Sequence, residues 1–457
     1  MMNRMVAVSR GLRWTGVLVL AAAVVSACRA SSADVATPSL EPGSTIIAAE
    51  LMTVTAVAPT ASPEPTASPI PTIAVDLPLA DLSYSVPLTI LHTTPDSATL
   101  FFELSAASSG MVLVQPEDGS ALPIVLPLDP ASPRWKQTLG GLSPGTRYRV
   151  VVVLGAEGQP PAQPRFRSGA WGPVSFRTAS PGEPLRVGVI SDASFGDRAT
   201  YELARQMAEA DLDLVLHAGD VVDETEEGKN PFESFADKFY APFEPLLTRM
   251  PVYTIPGNHD YDSDIRLGDT PFYYHAFPPF PDPLIPGQEA SERRQYYAFS
   301  REDLQFLMLD TQVLFGVAGR EDQERWLAER LSDPRFRASI VGMHVAPYSS
   351  STVHPTDSLP PRQQWVPLFE AASVPLVISG HFHGYERLVA NGITYLVAGG
   401  GSATLYSIGE RLPQSQVAHR RTHFVLLEID DQAIDVTTYA LGGEVLDQME
   451  IPLPPAD

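Results

Sequence analysis

Five short polar groups in this sequence each come directly after an apolar run, which limits the folds open to the chain. In an α/β sheet, ligands bind beyond the carboxyl ends of the strands, so groups far apart in sequence can converge on one cleft. The pattern therefore predicts an α/β core with one polar site at its edge. The groups are Ser191-Asp192-Ala193-Ser194, Gly219-Asp220-Val221-Val222-Asp223, Gly257-Asn258-His259-Asp260, Gly342-Met343-His344 and Gly380-His381-Phe382-His383.

The region 185–457 alternates apolar runs with helical stretches, as expected for an α/β domain. A strand at 185–190, a helix at 198–210 and a strand at 213–217 are predicted to form a βαβ unit. The C-terminal part has the pattern of an antiparallel meander, with strands at 423–429, 433–439 and 445–451. Further predicted elements are strands at 251–255, 304–309, 338–343, 374–379 and 394–397 and a helix at 322–331.

Six side chains in the polar groups offer oxygen or imidazole donors, a combination typical of metal centres. That is too many ligands for one tetrahedral zinc ion. It suits two first-row ions about 3.5–4 Å apart that share a bridging carboxylate, for which Asp220 is the natural candidate. Gly219, Gly257 and Gly380 would let the backbone turn sharply off each strand. The six predicted ligands are Asp192, Asp220, Asn258, His344, His381 and His383.

Several stretches around these groups resemble the calcineurin-like metallophosphoesterases, and most closely their purple acid phosphatase branch. Residues 380–387, GHFHGYER, resemble that branch's Gly-His-x-His-x-Tyr-Glu-Arg motif. Residues 296–299, 306–310 and 395–401 also resemble the corresponding stretches of the purple acid phosphatase branch. The resemblance runs from about residue 81 to the C-terminus and implies a four-layer α-β-β-α sandwich for the main domain.

The resemblance also implies how the ligands divide between two metal ions, which would be Fe, Mn or Zn. His259 would lie beside the leaving-group oxygen as a general acid or electrostatic stabiliser. One ion would be held by Asp192, Asp220 and His383, and the other by Asp220, Asn258, His344 and His381.

Two positions depart from the family's patterns. Asp223 stands where the purple enzymes have a tyrosine whose tyrosinate ligates ferric iron, so no purple colour is expected. Ser194 stands where other metallophosphoesterases have a histidine ligand. Asp223 would therefore either ligate the first ion itself or orient His259, since a neighbouring aspartate raises the pKa of an imidazole.

Two further residues are predicted to contact the substrate. His354 lies in the loop that follows His344. Arg387 comes shortly after the last metal histidine and would bind phosphate through two hydrogen bonds. A structural ion pair is an equal alternative for Arg387.

The N-terminus, residues 1–28, has the pattern of an export signal. Basic residues precede an apolar run at 14–25, which is shorter than a membrane span requires. The run ends in Val25-Ser26-Ala27-Cys28, which resembles a bacterial lipobox, and Cys28 is the single cysteine of the 457 residues. Lipidation of Cys28 would make the protein an extracytoplasmic, membrane-anchored lipoprotein. An ordinary signal peptide with a chance cysteine is the alternative.

Two segments separate this signal from the α/β domain. Residues 29–80 are rich in Pro, Ala, Ser and Thr, which predicts a disordered, extended linker. Residues 81–180 contain short alternating strands, which predict an all-β sandwich of the fibronectin type III kind. Residues 142–150 resemble the tyrosine corner of such domains, in which the hydroxyl of Tyr148 would bind the backbone just upstream.

Together these features predict a phosphoric ester hydrolase in which a metal-bound hydroxide attacks phosphorus in line. A phosphomonoesterase of the acid phosphatase type is expected first, and a phosphodiesterase acting on nucleotides or lipid head groups is the alternative. An inactive surface-displayed binding protein is the alternative of another class. The formal net charge of −23 argues against a nucleic-acid-binding surface. The expected partners are a phosphate ester and, through the lipid anchor, a membrane.

Overall fold

The computed structural model describes residues 77–155, 160–223, 231–261, 273, 276–278 and 296–455. All of them belong to one structural unit, residues 68–457. The predicted signal peptide with Cys28 and the predicted linker up to residue 76 lie outside the described residues. Within the described ranges, no helix has the length and apolar character needed to cross a membrane.

Two four-stranded sheets form the N-terminal part of the described chain, in the strand orders β5-β2-β1-β7 and β4-β3-β6-β8. Alternate residues face inward, as Val112 and Val114 on β3 and Val150 and Val152 on β6 show by their burial. The Tyr148 hydroxyl accepts the Ser143 N–H at 2.8 Å, so the predicted upstream contact is confirmed. The strands are β1 (Leu79–Thr93), β2 (Ser97–Leu104), β3 (Gly110–Pro116), β4 (Ile124–Pro127), β5 (Arg134–Gly140), β6 (Arg147–Leu154), β7 (Gln163–Arg165) and β8 (Val174–Arg177).

Two larger sheets form the rest of the chain. The six-stranded sheet has the order β11-β10-β9-β19-β20-β21, and the seven-stranded sheet has the order β12-β13-β14-β15-β17-β16-β18. The strands are β9 (Leu185–Ile190), β10 (Leu214–His217), β11 (Val252–Thr254), β12 (Tyr297–Arg301), β13 (Leu304–Leu309), β14 (Ala338–Val345), β15 (Leu376–Gly380), β16 (Tyr385–Ala390), β17 (Ile393–Ala398), β18 (Ser415–His419), β19 (His423–Ile429), β20 (Ala433–Ala440) and β21 (Val445–Pro452).

These two sheets face each other across one hydrophobic core and carry helices on their outer sides. Leu214 of the six-stranded sheet and Ile340 and Leu376 of the seven-stranded sheet share that inner core. Their neighbours Val215 and Val341 point the opposite way, into the helix layers. The layers therefore follow the order α-β-β-α, which confirms the predicted main domain.

Helices occupy the outer layers and the connections between strands. The longest are α1, whose N-cap Asp197 accepts the Thr200 N–H, and α4. The described connections also contain a π-helical turn at Ala236–Tyr240 and a 3-10 turn at Thr311–Leu314. The α-helices are α1 (Arg198–Ala208), α2 (Pro231–Phe235), α3 (Ala241–Leu247), α4 (Arg320–Leu331), α5 (Leu359–Gln364) and α6 (Val366–Ala371).

Candidate metal centre

The predicted ligands follow, or lie at the ends of, strands that run parallel to a neighbouring strand. β9 lies parallel to β10 and β10 parallel to β11, while β14 lies parallel to β15 in the other sheet. The carboxyl ends of both sets meet, because the His381 N–H donates to the Asp192 carboxylate at 2.9 Å. The strand ends therefore meet at one edge, as predicted.

All six predicted ligands are brought together at this edge. His344 Nε2 lies 3.1 Å from Asn258 Oδ1 and 3.3 Å from Asp220 Oδ1. His381 Nδ1 lies 3.0 Å from the same Asn258 oxygen. On the other side, donor atoms of Asp192, Asp220 and His383 all lie within 4.8 Å of one another. Asp220 is thus the carboxylate that belongs to both halves of the cluster.

Each histidine of the cluster has one ring nitrogen fixed by a group behind it. The Nδ1 atoms of His344 and His383 contact the carbonyl oxygens of Ala218 at 2.8 Å and Thr404 at 2.9 Å. A carbonyl oxygen only accepts, so both Nδ1 atoms carry a hydrogen, and both Nε2 atoms face the cluster, where each would give a lone pair to a metal ion. Metal-ligating histidines are typically oriented in this way.

Three glycines allow these groups to approach so closely. A Cβ atom at Gly219 would lie 2.5 Å from His344 Nδ1, and one at Gly257 would lie 2.0 Å from Asp220 Oδ1. A Cβ atom at Gly380 would lie 1.9 Å from Ser191 Oγ. Only Gly219 has a positive φ, of 94°, so the predicted sharp turn explains that position alone. Gly257 and Gly380 are required for space instead.

The charges of the cluster are those of a cation site. Asp192 and Asp220 are 0% and 2% exposed, and among the described residues only histidines form ion pairs with them. Burial lowers the pKa of His344, but the charge and hydrogen bond of Asp220 outweigh it and raise the pKa to about 10. Two buried carboxylates therefore demand positive charge, and the oxygen and imidazole donors around them fit metal ions.

His259 and Asp223 lie at the rim of the cluster. The His259 N–H donates to Asp220 Oδ1 at 3.0 Å, and its Nδ1 atom lies 3.6 Å from Asp223 Oδ1. The donor atoms that Asp192, Asp220 and His383 bring together do not include Asp223. Asp223 therefore lies beside His259, and both of its predicted roles stay open. Ser194 is buried beside this loop, where its carbonyl accepts the Asp223 N–H at 3.0 Å.

The two predicted substrate contacts have different surroundings. His354 has a side chain 50% exposed, and its ring centre lies 5.2 Å from that of His381, so it borders the cluster. Arg387 instead pairs with Asp447, with Nε to Oδ2 at 2.6 Å and Nη2 to Oδ1 at 3.1 Å. Its guanidinium group is used in this pair, so the structure corrects the substrate contact to the ion-pair alternative.

Three residues of the site were not predicted. Asp260 accepts the N–H groups of Val221 and Gly257 and so joins two ligand loops. Tyr406 stacks on His383 with ring centres 4.0 Å apart and an angle of 5° between the planes. Asp357 contacts His381. Only Asp260 had a sequence signal, as the last residue of a polar group. The other two lie in loops without periodicity.

Comparison with known proteins finds similarity over the part of the chain that carries this site. Residues 185–385, which contain all six predicted ligands, match the family model described as Calcineurin-like phosphoesterase. Purple acid phosphatase 23 of Arabidopsis thaliana is 26% identical over 273 residues, which cover 55% of this chain and 56% of that protein. Purple acid phosphatase 22 of the same plant is 26% identical over 228 residues, which cover 49% and 50%. The match thus spans about half the length of these relatives.

A solved structure is similar over a larger part of the chain. Purple acid phosphatase PPD1 from yellow lupin (Lupinus luteus) seeds superposes with a TM-score of 0.64 at 18% sequence identity. The superposition covers 80% of this chain and 74% of the lupin chain. At this level of identity the similarity shows a shared fold.

Proposed function

Because residues 185–385 form a calcineurin-like phosphoesterase domain, we propose that this chain is a phosphoric ester hydrolase with a two-metal centre. The proposal is carried by the convergence of the six predicted ligands, each of whose histidines has one ring nitrogen fixed from behind. A histidine oriented in this way has its other nitrogen available to a metal ion.

The ligands would divide between two ions of Fe, Mn or Zn. Asp192, Asp220 and His383 would hold the first ion, and Asp220 with Asn258, His344 and His381 would hold the second. When bound, two such ions lower the pKa of a water molecule towards neutrality and neutralise charge on the phosphoryl oxygens.

The chain's own residues would handle the leaving group and the substrate. His259 has a side chain 39% exposed, so an ester oxygen can reach it. With Nδ1 directed at Asp223, its Nε2 atom would give a proton to the departing alkoxide. His354, whose ring borders that of His381, would contact the substrate as well.

We propose a phosphomonoester as the first substrate class, which agrees with the phosphatase names of the relatives. The test is a paired rate measurement on the full chain loaded separately with Fe, Mn and Zn. An aryl phosphomonoester is compared with the matching diester. We expect faster monoester hydrolysis, a loss of more than about 100-fold in His344→Ala, and little change in the control His419→Ala.

Each other outcome has a definite meaning. Faster diester hydrolysis that His344→Ala abolishes would replace the monoester proposal by the phosphodiesterase. Absence of turnover of both esters with all three metals would overturn the enzyme proposal. His419 lies at the end of β18, outside the predicted ligand set, so an equal loss in both variants would show a general folding defect.

A further inference from the structure

Asp357 lies between two histidines of the candidate site. Its Oδ2 atom is 3.0 Å from His381 Nε2, and the same oxygen is 3.7 Å from His354 Nδ1. The donor atoms of these three residues all lie within 4.8 Å of one another. One carboxylate is therefore shared by a predicted metal ligand and a predicted substrate contact.

The contact with Asp357 determines which nitrogen of His381 is free. A carboxylate accepts, so His381 Nε2 carries a hydrogen, which leaves Nδ1 to give a lone pair to a metal ion when one is bound. Nδ1 lies 3.0 Å from Asn258 Oδ1, and both atoms belong to predicted ligands of the second ion. A carboxylate behind a ligating histidine also strengthens the histidine as a donor, because it stabilises the positive charge that develops on the ring.

The loop that carries Asp357 is held by contacts that involve none of the predicted metal ligands. Glu386, a buried residue of β16, accepts the Ser350 N–H at 2.7 Å and the Ser350 hydroxyl at 2.6 Å. Ser350 Oγ in turn accepts the Leu412 N–H at 3.0 Å. The Thr352 N–H also donates a hydrogen bond to the Ser407 carbonyl at 3.0 Å. The loop therefore brings Asp357 to His381 as part of the fold.

We propose that Asp357 is a positioning residue, which fixes the His381 ring for the second metal ion and holds His354 at the same edge of the site. The inference rests on the proposed function, because it requires a two-metal centre. The buried hydrogen bonds between Ser350 and Glu386 would then support metal binding indirectly, because they fix the loop that carries Asp357.

The test is a metal titration of the full chain, followed by the Mn²⁺ electron paramagnetic resonance signal. The wild type is compared with Asp357→Asn, Asp357→Ala and the control Asp333→Ala, whose carboxylate pairs with Arg335 on the surface. We expect the second ion to bind about 10- to 100-fold more weakly in Asp357→Ala, with a smaller loss in Asp357→Asn and none in the control. The first ion should bind equally well in all four proteins.

Rescue separates positioning from damage to the fold. Excess metal should restore most of kcat in Asp357→Asn. Equal affinity for the second ion in all four proteins would overturn the proposal. So would three ions in the wild type and two in Asp357→Ala, because Asp357 would then be a ligand itself. Failure of the proposed function would appear in the wild type, as binding of no metal pair or absence of ester hydrolysis, whereas failure of this inference appears only in the variants.

Discussion

At the scale of single residues, the candidate site is built on backbone conformations that residues with side chains seldom adopt. Asp192, Asp220 and His381 have φ values of 57°, 52° and 68°, in the left-handed region. Each such residue costs roughly 1–3 kcal/mol unless its surroundings impose the conformation. Here they do, because Asp192 accepts the His381 N–H and Asp220 accepts the His259 N–H. The scaffold thus holds the donors in place through protein contacts alone.

His217 leads to a prediction about acid stability. It is fully buried against Phe239 and Phe243, and neither ring nitrogen has a hydrogen-bond partner among the described residues. Burial lowers its pKa from 6.5 to about 4. The unfolded chain therefore takes up this proton at higher pH than the folded chain. The contribution to stability is complete above pH 6.5 and is lost as the pH falls towards 4, by about 3 kcal/mol.

The measurement compares the free energy of unfolding in urea at pH 7.5 and pH 4.5. The variant His217→Leu should lose less stability between these two values than the wild type, since it has no ring to protonate. The control His419→Leu, which removes a histidine that is only partly buried at the end of β18, should follow the wild type. An identical acid loss in wild type and His217→Leu would show that His217 does not titrate on unfolding.

At the scale of elements, most strands of the α/β domain were predictable and three were not. β9, β13 and β19 have the predicted bounds, and the other predicted strands of the α/β domain differ by one or two residues at their ends. A strand covered on both faces needs a nearly continuous apolar run, which is visible in a sequence. β12, β16 and β18 were not predicted, because these antiparallel strands at or near a sheet edge carry charged or polar residues.

The same reasoning explains which parts of the candidate site could be predicted. The six ligands each follow or end a buried strand, so the rule that strand ends converge was enough to group them. Asp357 and Tyr406 come from long loops, whose paths are set by contacts such as Ser350 with Glu386. No periodicity in the sequence records such contacts.

The pair of Arg387 and Asp447 leads to a prediction at this scale, because it ties the two sheets together. Arg387 lies on β16 and Asp447 on β21, and their side chains are only 17% and 7% exposed. The Tyr385 hydroxyl donates to the same carboxylate at 2.8 Å. Arg387→Met would leave Asp447 buried without its cation, so we expect the free energy of unfolding to fall by about 3 kcal/mol. KM for the ester should not change.

The control for this prediction is Arg421→Met, which removes an exposed partner of Glu444 and should cost no more than about 1 kcal/mol. Urea unfolding and steady-state kinetics on the same preparations provide both readouts. A several-fold rise in KM for Arg387→Met with unchanged stability would contradict the ion-pair assignment and restore Arg387 as a substrate contact.

At the scale of the whole molecule, two of the contacts that join the N-terminal sheets to the α/β domain lie far along the strands from the candidate metal centre. Arg177 pairs with Asp213, directly before β10, and the Ser175 N–H donates to the Thr248 carbonyl, shortly before β11. These contacts lie at the amino ends of strands whose carboxyl ends carry Asp220 and Asn258. These two contacts therefore leave the exposed side chain of His259 uncovered.

The charge of the whole chain makes the role of Cys28 testable. A net charge of −23 gives no overall attraction to anionic lipid surfaces, so membrane attachment would depend on acyl chains at Cys28. We expect the wild type in the membrane fraction, labelled by an alkyne fatty acid, and Cys28→Ser unlabelled in the soluble fraction with unchanged phosphatase activity. The control Ser31→Ala should behave as the wild type. If Cys28→Ser stays with the membrane, or the wild type is soluble and unlabelled, the ordinary signal peptide replaces the lipoprotein signal.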